Sequence, residues 1–152
     1  MEYEGPQDWL ERSFEHLASH TRAVTPGTFV FVLSDFIPQP SSDLWLIALE
    51  HRWDVVPIVI QDPTWEQSFP DVDGIVVPLR EARTRRVSSA RLRRAEVTAR
   101  REQNRERIAT LLETFRLLDV DPVVVSSSDR AEILAEFLVW TDLRRTRRVI
   151  GA

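Results

Sequence analysis

Three carboxylate- or hydroxyl-bearing segments in this 152-residue chain stand directly after apolar runs. Ser34-Asp35 follows FVFVL, Gln61-Asp62 follows DVVPIVI with Glu66 close behind it, and Ser126 to Asp129 follow VVV. Side chains of this kind are hard oxygen ligands suited to Mg²⁺ or Ca²⁺. If the runs are neighbouring parallel strands, roughly 4.8 Å apart, their carboxyl ends share one edge. Asp35 and Asp62 would then face one crevice with Glu66 near it, which makes Ser34, Asp35, Asp62 and Glu66 the candidate metal ligands. Asp and Ser also end strands simply as turn formers and helix caps, and the same positions fit that plainer role.

Other chemistry is largely excluded. The chain has no Cys, which removes disulfides, thiolate metal sites and cysteine nucleophiles. Its four glycines, at positions 5, 27, 74 and 151, are too scattered for a phosphate-cradling loop. No Gly-x-Ser-x-Gly elbow occurs. His16 and His20 could share a helix face, but no Glu follows His16 as in a zincin helix, and two surface histidines are the simpler reading. With no catalytic signature, the chain is expected not to be an enzyme and to carry no resident cofactor.

The elements that would position these residues follow from periodicity. Residues 8–22 place Leu10, Phe14, Leu17 and Ala18 on one helical face. Thr25-Pro26-Gly27 turns the chain into a strand at Thr28–Leu33, whose apolar run predicts burial on both faces. A helix capped by Ser41, Ser42 or Asp43 runs to Arg52 and is apolar on nearly every side, so Trp45 is expected in an interface or between layers. The strand Asp54–Ile60 contains Pro57, which predicts a bulge or a locally unpaired position. A loop follows, then a hairpin of Gly74–Leu79 with Arg85–Ser88 and a long helix over 90–118 with Ile108, Leu111, Leu112, Phe115 and Leu118 in one stripe. Val123–Val125 is a third strand. The last helix carries Ile133, Leu134, Phe137, Leu138 and Thr141, with Asp129 and Glu132 at capping-box spacing. This alternation predicts an α/β three-layer sandwich: one domain over 1–152 with a parallel sheet of about three strands, a small hairpin and a long helix. Residues 1–7 are expected to be disordered.

Net charge is −4, unevenly spread. All 20 basic residues are Arg, and eleven of them fall between Arg80 and Arg107 against four Glu. Such a helix attracts phosphate backbones, with Arg91, Arg93 and Arg94 the residues to neutralise. Aromatic side chains are absent from that stretch and the whole chain is acidic. A solvated or partner-facing helix, with Glu96 and Arg100 at favourable spacing, is therefore preferred and nucleic acid is not expected as a partner. No apolar run approaches the roughly 18–20 residues that cross a bilayer. The acidic start MEYEGPQDW is no signal peptide, and a cytoplasmic location is expected.

Taken in order, SDF, HRWDVVPIVIQDPTWE, FPDVDGIVVPLREARTRRV and DPVVVSSSDRAEILAEFLVW make the chain from about residue 8 to 148 resemble a bacterial family, the domain of unknown function 58 proteins. The resemblance implies the C-terminal part of a Rossmann-like domain similar to the von Willebrand factor A fold, with 74–107 as a family insert. It also implies a non-enzymatic interaction module, the partner or adaptor of a MoxR-type AAA+ ATPase in complex assembly. Related domains begin a metal site with Asp-x-Ser-x-Ser, which this sequence lacks, so Mg²⁺ would need a partner to complete the site. Asp35 matches the motif's last aspartate, while Phe36 stands where many A domains have Gly. In an A-type sheet a further strand would lie against Thr28–Leu33. Either a second copy pairs there, through Phe29, Phe31 and Leu33, or the chain is part of a longer one.

Overall fold

The computed structural model describes residues 8–20, 22–80 and 87–150; the disorder expected for 1–7 and the start of the hairpin's expected second strand, Arg85, fall outside the described residues. Its elements are α1 (Trp9–Ser19), β1 (Phe29–Ser34), α2 (Ser42–Glu50), β2 (Asp54–Ile60), β3 (Val76–Arg80), β4 (Val87–Arg91), α3 (Arg94–Leu117), β5 (Val123–Val125) and α4 (Arg130–Ile150). The chain forms two compact units, one of residues 1–60 with 111–152 and one of residues 61–110.

In the first unit, β1, β2 and β5 make a parallel sheet in the order β1-β2-β5, with Phe29 opposite Asp54 and Ile58 opposite Val123. The fold is α/β. Helices pack on both faces of β2, which carries apolar residues on both. On one face, Ile133, Phe137 and Trp140 of α4 pack on Val56, Ile58, Val123 and Val125. The opposite face of β2 presents Val55 and Val59, both buried. The aromatic cluster of this unit joins Phe14 of α1, Phe36, Trp45 of α2 and Phe115 of α3. Phe14–Trp45, Phe36–Phe115 and Trp45–Phe115 meet edge-on, with centroids 5.9, 5.7 and 5.2 Å apart. Edge-on aromatic pairs add about 0.5–1.5 kcal/mol each beyond the area they bury.

Local chemistry shapes the connections. Gly27 has φ 82 in the Thr25–Thr28 turn, closed by Thr28 N–H donating to Thr25 O at 3.1 Å. Both α2 and the C-terminal end of α3 close in Schellman motifs. After α2, Arg52 N–H donates to Leu49 O and Trp53 N–H to Ala48 O; after α3, Asp119 N–H donates to Arg116 O and Val120 N–H to Phe115 O. The left-handed residue in each is not glycine but Arg52 (φ 55) and Asp119 (φ 54). Asp129 caps α4, Oδ1 accepting from the N–H of Ala131 and Glu132, while its own N–H donates to Ser127 Oγ rather than to the Glu132 side chain that a capping box would use.

Two expectations are corrected, and a third, for Pro57, resolves to the locally unpaired position rather than the bulge. The β1 run is not buried on both faces: Val32 is buried, whereas Phe29, Phe31 and Leu33 are 51, 50 and 56% exposed. The packing of α4 on β2 and β5 leaves the same face of β1 half exposed, with Arg144 of α4 reaching the Phe29 ring. Pro57 causes no bulge, since the β1–β2 register runs through it unbroken from Phe29–Asp54 to Ser34–Val59. Pairing with β5 starts only at Ile58, so at Pro57 the far edge of β2 faces no described strand. And α2 is not buried all round; it buries Leu44, Trp45 and Ala48 but leaves Leu46 and Leu49 exposed.

In the second unit, β3 and β4 form the antiparallel hairpin, Val76 opposite Arg91. The 61–73 loop is held to the first part of α3 through backbone carbonyls. Arg101 Nε donates to Phe69 O (2.7 Å), Asn104 Nδ2 to Trp65 O (3.0 Å) and Ser68 O, and Arg107 Nη2 to Glu66 O. Arg100 lies over the Phe69 ring. Residues 101, 104 and 107 share one helix face, so this part of the Arg-rich stretch fastens a loop of its own unit.

Candidate functional site

The predicted carboxylates are placed as follows. Ser34 Oγ accepts from Phe36 N–H (3.1 Å) and Asp35 Oδ1 from Ile37 N–H (3.0 Å), two short side-chain turns that end β1. Asp62 Oδ1 accepts from the N–H of Thr64 (2.7 Å) and Trp65 (3.0 Å), while Glu66 Oε2 accepts from Asp62 N–H (2.6 Å). Asp62 and Glu66 thus form a reciprocal capping turn. Asp35 belongs to the first unit, Asp62 and Glu66 to the second. Among the described residues, no group of three or more His, Asp or Glu side chains comes together in a way that could hold a metal ion.

The predicted contact residues divide differently. Trp45, expected in an interface or between layers, lies in the aromatic core at 1% exposure, so it offers no surface; its bulky ring fills the space among Phe14, Phe36 and Phe115. Arg91, Arg93 and Arg94 are exposed at the end of β4 and the start of α3. There Glu96, spaced to pair with Arg100, instead accepts Arg93 N–H at 2.8 Å and caps α3.

Phe29, Phe31 and Leu33 form an exposed row on β1, with the Phe29 and Phe31 rings stacked at 6.0 Å. Among the described residues, β1 pairs only with β2, so its other edge is open. The ladder decides which backbone groups face that edge. Asp54 N–H donates to Thr28 O at 2.9 Å, so Thr28 points at β2, and strand alternation turns Val30 and Val32 the same way. The N–H and C=O of Phe29, Phe31 and Leu33 therefore point outward, along the open edge.

The apolar surface continues onto α4. Phe29, Trp140, Thr141, Arg144 and Arg145 line one shallow groove. Thr141 and Arg145 share a helical stripe with Leu134 and Leu138, both more than half exposed. Arg144 anchors the groove. Its Nη2 donates to both carboxylate oxygens of Asp54, at 2.6 and 2.7 Å, and its guanidinium lies 4.9 Å from the Trp140 ring centre and 5.6 Å from that of Phe29. Sequence reasoning missed this pair; the one signal was a charged residue, Asp54, opening an otherwise apolar strand.

No helix among the described residues is long and apolar enough to cross a membrane. Compared with models of known protein families, with curated proteins and with solved structures, the chain has no match.

Proposed function

We propose that this chain is a non-enzymatic protein-interaction module whose docking feature is the open edge of β1. The observation that carries the reading is the pairing of a strand edge unpartnered among the described residues with a half-exposed apolar row on the same strand. Long apolar edges template the addition of another strand, and proteins that avoid this place charge or proline there. No charged residue and no proline stands between Thr28 and Ser34. Strand addition supplies affinity through main-chain hydrogen bonds and specificity through alternate side chains. In the A-type reading, β1 is an interior strand and the open edge is where a further strand belongs. The left-handed φ of 51 at Phe36, where many A domains have glycine, supports the likeness. On the resemblance, a MoxR-type AAA+ ATPase is proposed as a further partner in complex assembly, with Mg²⁺ entering only if a partner completes the Asp35 position.

The test is amide hydrogen exchange on dilute protein. Phe29, Phe31 and Leu33 should exchange fast while Val30 and Val32 are protected by β2. Slow exchange at all five positions in a demonstrated monomer would overturn the reading.

A further inference from the structure

We infer that the partner strand is β1 of a second copy, paired antiparallel about Phe31. The inference rests on the reading of β1 as a docking edge and specifies its occupant. A two-fold interface needs a surface complementary to itself. The β1 run meets that requirement twice.

The first match is in side chains. FVFVL reads nearly the same in both directions about its centre, so antiparallel pairing sets Phe31 against Phe31 of the second copy and Phe29 against Leu33. All of these lie on the half-exposed face of β1 beside α4. Cross-strand aromatic and apolar pairs contribute favourably in such positions. At the ends Thr28 meets Ser34, so no charge is brought against charge inside the paired segment.

The second match is in the backbone. In an antiparallel ladder, residues directly opposite each other alternate between pairs that exchange both N–H···O bonds and pairs that exchange none. The open edge presents the N–H and C=O of Phe29, Phe31 and Leu33. Centring on Phe31 makes 31–31, 29–33 and 33–29 the bonded pairs, which satisfies every outward group on both copies. A register shifted by a single residue would set outward-facing groups against inward-facing ones. A shift by two keeps the bonding parity but leaves one large apolar side chain of each copy unopposed. The two three-stranded sheets join into one continuous sheet.

The chain has no native Cys, so one introduced thiol reports one position. With Phe31→Cys, the two thiol-bearing residues stand about 5.5 Å apart between Cα atoms. With Phe29→Cys or Leu33→Cys alone, they stand about 13 Å apart along the strands. A short bis-maleimide should therefore convert Phe31→Cys to covalent dimer. It should leave the other two variants largely uncoupled alone and join them when mixed. Sedimentation of the unmodified chain should give twice the monomer mass, and Phe31→Glu, at an exposed position, should return it to monomer with unchanged circular dichroism. A dimer whose Phe31→Cys variant does not couple, or which survives Phe31→Glu, overturns the inference. So does a monomer at every concentration. In that last case, fast exchange at Phe29, Phe31 and Leu33 would leave the open edge for a different protein, whereas slow exchange would remove both readings.

Discussion

Phe36 combines two demands that oppose each other. Its backbone has φ 51, a conformation that costs a side-chain-bearing residue of order 1 kcal/mol or more, yet its ring is 1% exposed and meets Trp45 and Phe115. Removing the ring should destabilise the protein by about 3–5 kcal/mol. The backbone term then separates from the packing term: Phe36→Gly should be about 1 kcal/mol less damaging than Phe36→Ala, because glycine adopts positive φ freely. Equilibrium denaturation of the two variants measures the difference, and Phe36→Ala proving the more stable would refute the strain. Arg52 offers the same test without a ring. It sits exposed at the left-handed position that closes α2, so Arg52→Gly should raise stability by roughly 0.5–1 kcal/mol in a thermal or chemical melt.

At the scale of elements, α4 is tied to the sheet by an apolar stripe and one ion pair. Arg144 and Asp54 are 18 and 20% exposed, and their contact is charge-assisted. Arg144→Met should cost about 1–3 kcal/mol, since it leaves Asp54 mostly desolvated without its cation, and the double variant with Asp54→Asn should cost less than the two single losses combined. In the second unit, Asn104→Ala should loosen the 61–73 loop, detectable as faster proteolysis near Trp65 to Phe69, while the circular dichroism of α3 is retained. Most elements were legible in the sequence because their signals are local: the stripe of Leu111 and Phe115, the Asp129 cap and the extent of Asp54–Ile60 all stand as read. What was not legible depends on coverage. An apolar run such as FVFVL has the composition of a strand buried twice over, and only the position of α4 over β2 and β5 shows that one face of β1 is half exposed. Likewise the arginines of α3 look solvated in sequence, and the carbonyls of the 61–73 loop that receive Arg101 and Arg107 are set by the chain's path. The carboxylates Asp35, Asp62 and Glu66 stood out for their chemistry, and each serves a local turn.

For the whole molecule, the defining feature is a three-stranded sheet with an apolar outer strand. A parallel sheet is ordinarily enclosed, and β1 has neither the charge nor the proline that keeps an exposed edge from pairing. Concentration is therefore the variable that should change its state. The most direct measurement is residue-resolved amide hydrogen exchange of β1 as a function of protein concentration. Val30 and Val32 should be protected at every dilution by their bonds to β2. Phe29, Phe31 and Leu33 should exchange fast in dilute protein and become protected together as concentration rises. Protection of those three at every dilution in a proven monomer would contradict an open docking edge.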